Sequence, residues 1–197
     1  MVRYLAVLGA LLQAGPIVAD TLAGRVSGIS DGATITVVDT ARARHTVRLA
    51  AIDAPEARQP FGRESKQHLS DLVFGKEVKV EWRQRDRYGR IVGKVMVQNT
   101  PCPTCPPALD AGLAQLEAGL AWWYREYRRE QSLADQGYYE YAEFDAKARR
   151  IGLWQDEAPL PPWEWRRRNQ IVARLVTAPE PFSPQRTSMR SASRDHS

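Results

Sequence analysis

Between residues 22 and 97 the chain carries five short runs rich in β-branched and apolar side chains, with one helical stretch after the third. Residues 22–30 alternate loosely between apolar and polar positions, as a strand with one solvated face does. Asp31-Gly32 is a turn signal, and residues 34–39, with Ile35, Val37 and Val38, read as the returning strand. Residues 45–52 form a third run. Pro55 and Pro60 make residues 54–62 irregular, because proline cannot donate to a backbone ladder. Residues 63–73 place Leu69, Leu72 and Val73 on one helical face, and Gly75 ends the helix. Residues 78–82 and 91–97 alternate on either side of a charged turn, Arg85-Asp86-Arg87-Tyr88-Gly89-Arg90, and predict a hairpin.

A proline-rich loop follows. Residues 110–117 predict a short helix, and 121–127 are aromatic, with Trp122, Trp123, Tyr124 and Tyr127. Ser132 with Asp135 three residues on is a capping pair that opens a long helix to Arg150. Gly152 is the expected stop. Three strands, a helix, two strands and further helices fit an α+β fold: a five-stranded OB-type β-barrel with about three packed α-helices. A mixed sheet with helices on one face fits the same pattern.

The ends of the 197-residue chain differ from its middle. Arg3, the apolar stretch from Tyr4 to Leu12 and the small residues before Asp20 predict a signal peptide over 1–19. That implies a secreted or periplasmic protein. The stretch is too short to cross a bilayer, so no membrane span is expected in the mature form. The domain itself is expected over 20–165. Residues 166–197 hold seven arginines against Glu180 and Asp195, which accounts for the whole formal net charge of +5. That tail, rich in Pro, Ser and Arg, is expected to be largely disordered from about Ala178. Residues 1–165 therefore sum to zero, and any affinity of the domain for nucleic acid must come from local charge. Cys102 and Cys105 form Cys-Pro-Thr-Cys. Zinc would need further ligands, and redox-active pairs of this spacing usually open a helix. In an exported chain the prolines around the pair favour a disulfide staple on a surface loop.

The chemistry concentrates in Arg48-Leu49-Ala50-Ala51-Ile52-Asp53-Ala54-Pro55-Glu56. Strand alternation sets Arg48 and Ile52 on one side and Asp53 at the strand's end. Pro55 stiffens the exit and holds Glu56 at a fixed distance. Two carboxylates beside an arginine suit a hard cation and a base that activates water. The hairpin turn adds Arg90. Phosphoryl transfer uses such a set, since guanidinium groups stabilise charge on the phosphoryl oxygens while a base orients water. Arginine–carboxylate pairs at strand ends are also commonly structural, and spacing alone leaves both readings open.

The run Asp31-Gly32-Ala33-Thr34, the segment from Arg48 to Glu56, Asp86-Arg87-Tyr88-Gly89-Arg90, Gly119-Leu120-Ala121 and Gly152-Leu153-Trp154 resemble, in order and spacing, the thermonuclease family, also called staphylococcal nuclease-like. The resemblance covers residues 24–154. It implies an OB barrel and calcium-dependent hydrolysis of phosphodiester bonds in DNA and RNA. On it, Glu56 matches the general base, and Arg48 and Arg90 match the phosphate-clamping arginines. Asp53 matches a calcium-ligating carboxylate, and Ala54 the residue whose backbone carbonyl joins it. Tyr88, with Arg87 beside it, matches the nucleotide contact, and Tyr124 and Tyr127 lie where the family places tyrosines near the base. One position departs: the family's second hairpin aspartate, a calcium ligand, is Ala33. A methyl group ligates nothing, so the expected Ca²⁺ site is weakened.

Two functions of different class follow. One is a nuclease, expected as a monomer, acting on single-stranded DNA or RNA. The other is a catalytically impaired OB module that binds single strands through Arg83, Arg85, Arg87, Arg90, Lys94 and Tyr88. Retention of Glu56 with both arginines favours the nuclease, since a binder has no need of the base. A thiol–disulfide role rests on the cysteine pair alone and ranks last.

Overall fold

The computed structural model describes residues 20–98 and 108–177. The leader, Cys102 with Cys105, and the chain beyond Thr177 lie outside them. Strand β1 (Asp20–Asp31) pairs along both edges, with β2 (Thr34–Val38) and with β5 (Glu77–Arg85), both antiparallel. Two register shifts in β1, after Val26 and after Ile29, bend it so that one strand serves two sides of a barrel. β2 continues to β3 (Arg44–Leu49), and β5 to β6 (Ile91–Val97). Parallel pairing of β3 with β6 closes the ring, Val47 opposite Ile91 and Arg48 opposite Val92. The result is the expected closed five-stranded OB-type barrel within an α+β fold. Because β3 and β6 join the two ends of the five-strand run, the mixed-sheet alternative falls.

The interior is β-branched: Val26, Ile35, Val37, Val47, Val80, Ile91, Val95 and Val97 are all buried. Such side chains fill a pleated wall with little rotamer freedom to lose. Helix α1 (Gly62–Val73) buries Leu69 and Val73, one turn apart, while Leu72 packs only partly. β7 (Leu109–Asp110) leads into α2 (Ala111–Glu117), whose N-cap is Asp110: its carboxylate accepts from Gly112 and Leu113 N–H. The Ser132–Asp135 pair caps α3 (Leu133–Ala148) as its spacing predicts. At the far end, Gly152 (φ 57°) sits where any Cβ would collide with the Gly119 carbonyl, so glycine is required.

Three local differences from the sequence expectation shape the site. The third run is not continuous to Ile52. Ala51 takes φ 54°, β3 ends at Leu49, and a two-residue strand β4 (Ile52–Asp53) starts in a new direction. The alternation that would put Arg48 and Ile52 on one side is therefore interrupted. The aromatic segment supplies β8 (Trp122–Trp123), which pairs with β4, Asp53 opposite Trp122. Finally, the boundary drawn at 165/166 falls inside a fourth helix, α4 (Pro162–Thr177). Pro162 suits a first helical position, where its missing N–H costs nothing.

Candidate active site

The left-handed turn at Ala51 is held from both sides. Its N–H donates to Glu130 Oε2 at 2.9 Å, and its carbonyl accepts from Tyr124 N–H at 2.9 Å. Glu130 ends a 3-10 turn (Arg125–Glu130) and also lies 3.9 Å from Arg48 Nη1. Arg48 donates through Nη2 to the Ile52 carbonyl at 3.0 Å and lies over the Tyr127 ring, 5.3 Å from its centroid. Its guanidinium is thereby fixed beside the strand that carries Asp53.

Asp53 is buried, whereas Glu56 leaves 41% of its side chain exposed. The loop between them is locked by the Gln59 side chain, which receives the Glu56 N–H at 3.2 Å and donates to the Leu160 carbonyl. One cation joins the two carboxylates, and it belongs to α4. Arg166 Nη2 lies 2.6 Å from Asp53 Oδ2, Nη1 lies 2.8 Å from Glu56 Oε1, and a longer contact of 3.4 Å runs from Nη1 to Asp53 Oδ1. Burial pushes the Asp53 carboxyl above its ordinary range, opposed by Arg166 and then Arg48. Although its own burial works the other way, the same pairing drives the Arg166 guanidinium upward, so it stays charged.

The helix that delivers Arg166 is anchored by aromatic contacts. Trp163, one turn earlier, stacks on Tyr124 at 4.7 Å and 10° and meets Trp122 edge-on at 5.8 Å. Tyr124 also meets Tyr127 edge-on at 4.8 Å, and its hydroxyl donates to Glu126 at 3.0 Å. Burial, then Glu126, holds the Tyr124 hydroxyl up at about 12.

Arg90 keeps a separate cluster on the β5–β6 hairpin. Its Nε donates to Asp86 Oδ2 at 2.6 Å, and its backbone N–H to Asp86 Oδ1 at 3.0 Å. Arg87 and Arg90 flank the exposed Tyr88 ring at 4.9 and 5.5 Å. Gly89 (φ 78°) makes that tight turn possible. Thus Arg48, Asp53, Glu56, Tyr124 and Tyr127 share one region, while Arg87, Tyr88 and Arg90 occupy a neighbouring hairpin. The pairing of Ile91 with Val47 sets that hairpin beside β3.

The chain has the order, the barrel and the paired carboxylates that its sequence resembles, and comparison with known proteins decides its kinship. Residues 46–156 match the family model described as staphylococcal nuclease homologue. This chain belongs to the staphylococcal nuclease family. It is 38% identical over 153 residues to an uncharacterized endonuclease of Escherichia coli, covering 78% of this chain and 90% of that protein. It is 42% identical over 149 residues to the micrococcal nuclease of Shigella flexneri, covering 73% and 80%. It is 40% identical over 168 residues to Protein ParB of Escherichia coli, covering 85% and 91%. Nuclease activity is thus the family's, and nucleic acid its substrate class.

Staphylococcal nuclease-like enzymes generally use calcium. Among the described residues no cluster of three or more His, Cys, Asp or Glu is arranged to hold a metal. Asp53 and Glu56 both carry Arg166, and Ala33, where the resemblance would have an aspartate, has no ligating side-chain atom. Calcium takes six to eight oxygens in protein sites. As arranged, these residues do not fit it.

Two supporting residues were not visible in sequence. Arg166 lies 113 positions from Asp53, and Glu130 lies 79 from Ala51. Only the Pro161-Pro162 pair, a helix-start signal, pointed toward α4.

Proposed function

We propose that the chain is an exported, monomeric nuclease that hydrolyses phosphodiester bonds in single-stranded DNA or RNA. Glu56 carries this reading. Its Oε1 accepts from Arg166, which orients the carboxylate, and its side chain is 41% exposed, so a water can reach it. A water there loses its proton to Glu56 as its oxygen bonds to phosphorus. The bond from phosphorus to the leaving oxygen breaks, and that oxygen takes a proton from solvent. Arg48 and Arg90 stabilise the charge that builds on the non-bridging oxygens, their planar forks matching phosphate better than an ammonium would. Tyr88 on one hairpin, and Tyr124 with Tyr127 on the other side, offer ring faces to unstacked bases. No step is assigned to a metal. Export rests on the pattern of residues 1–19, and the monomer on the closure of the five main strands within one chain.

The binding-module alternative draws on Ala33. Against it, part of its basic stripe is engaged locally: Lys94 lies 2.6 Å from Asp135 and 3.6 Å from Asp110, and Arg85 donates to the Gly89 carbonyl. The test is a gel assay of purified full-length mature protein on labelled single-stranded DNA and RNA, with calcium and with chelator. Cleavage products in either lane support the nuclease. Retarded but intact strands in both lanes support the binding module.

A further inference from the structure

We propose that Arg166 is a third arginine of the phosphodiester site, delivered by the C-terminal helix to the seat a cation would need, where it binds the substrate phosphate. This rests on the nuclease reading. The argument starts from donor geometry. A guanidinium has five N–H donors arranged along planar edges. Arg166 Nη1 directs its hydrogens to Asp53 and Glu56, and Nη2 directs one to Asp53. Nε–H and the second Nη2–H lie along one remaining edge, and among the described residues nothing accepts from them. That edge is a two-pronged fork of the shape that grips two phosphate oxygens. The side chain is 41% exposed, so the fork is reachable.

The surroundings fit a built position. Asp53 and Glu56 pin the guanidinium from behind, which removes most of the rotamer entropy a phosphate would otherwise have to freeze. Trp163 stacked on Tyr124 fixes the helix one turn away. Two carboxylates with one guanidinium leave the pocket short of positive charge, which Arg48, itself shared with Glu130 at 3.9 Å, offsets only in part. Arg166 thus supplies in cis the fixed charge that the donor set does not hold as calcium. Nothing in the covalent step changes: Arg166 gives and takes no proton, and acts by stabilising charge on the phosphoryl oxygens.

The experiment compares wild type, Arg166→Gln and Arg166→Lys as full-length mature proteins. The first readout is single-stranded DNA cleavage in chelator. Wild type is expected to cleave, Arg166→Gln to be slower by about a hundredfold or more, and Arg166→Lys to recover only a small part, since charge without the fork is insufficient. The second is affinity for a fluorescent oligothymidylate in chelator, measured in a Glu56→Gln background to suppress cleavage. Removing Arg166 is expected to weaken it about tenfold. The third is calcium's effect on melting temperature. Wild type should not respond to submillimolar calcium, because its carboxylates are already engaged.

An Arg166→Gln protein that cleaves as fast as wild type, or faster, overturns the proposal; the faster case would make the contact a block. Submillimolar calcium that raises the wild-type melting temperature also overturns it. Where Arg166→Gln fails to fold, Arg166→Lys carries the same comparison, and wild-type rates from it contradict the fork. A wild type that cleaves in neither calcium nor chelator ends the nuclease reading. The affinity readout still judges Arg166, and unchanged affinity overturns its phosphate contact.

Discussion

Ala51 holds a backbone conformation that costs a residue with a Cβ roughly 1–2 kcal/mol. The cost is offset by two hydrogen bonds at its own peptide groups, of which the one donated to Glu130 also places a carboxylate near Arg48. Glu130 is pushed up by burial, with the Ala51 N–H and Arg48 acting against that. Its role separates into an acceptor and a charge, and two substitutions test them. Glu130→Ala leaves the Ala51 N–H without a partner and should destabilise by about 1–3 kcal/mol. Glu130→Gln keeps an amide oxygen for that N–H and should cost less than about 1 kcal/mol. Urea denaturation of both variants checks this. Equal stability for Glu130→Ala and wild type would mean that the turn holds itself. Alanine itself carries no left-handed signal, which is why the break in the third strand was not legible in sequence.

Among the elements, those specified locally were readable. The β5–β6 hairpin follows from the alternation around the charged turn with Tyr88-Gly89, α3 from its Ser132 cap, and α1 from the spacing of Leu69 and Val73, while α2 was expected as a short helix over 110–117. Most of helix α4 was assigned to the tail because the chain beyond Trp165 is basic and leads into a stretch rich in Pro, Ser and Arg. What folds it onto the domain is one turn, Trp163 to Arg166, reading aromatic and acidic partners more than thirty residues away in sequence. Sequence periodicity cannot register a helix held through a single turn. The arrangement predicts a contrast between two truncations. A chain ending at Thr177 should melt with the full-length protein. One ending at Pro161 loses the Trp163 stack and the Arg166 pairs, and its melting temperature should fall on the order of 5 °C. Equal melting of the two by circular dichroism would mean that α4 does not pack on the domain.

Across the whole molecule, charge and fold divide the work. The barrel is a rigid frame closed by β3 and β6, and the site lies where that closure meets β4, the 3-10 turn and the first turn of α4. Since residues 1–165 carry no net formal charge, the pull on a phosphate comes from arginines placed one by one rather than from a basic surface. The candidate site was legible to the extent that Arg48, Asp53, Glu56 and Arg90 lie in local motifs; Arg166 was not, since its place beside Asp53 and Glu56 depends on the folded path of the chain. Of all these groups only Glu56 has a role that binding alone cannot explain. The decisive measurement is therefore the single-turnover rate of single-stranded DNA cleavage by wild type and Glu56→Gln, with affinity measured in parallel. A general base contributes about a hundredfold to ten-thousandfold. The variant should be slower by at least that lower figure while binding DNA about equally well. A variant that cleaves at the wild-type rate would contradict the assignment of Glu56 and, with it, this account of the site.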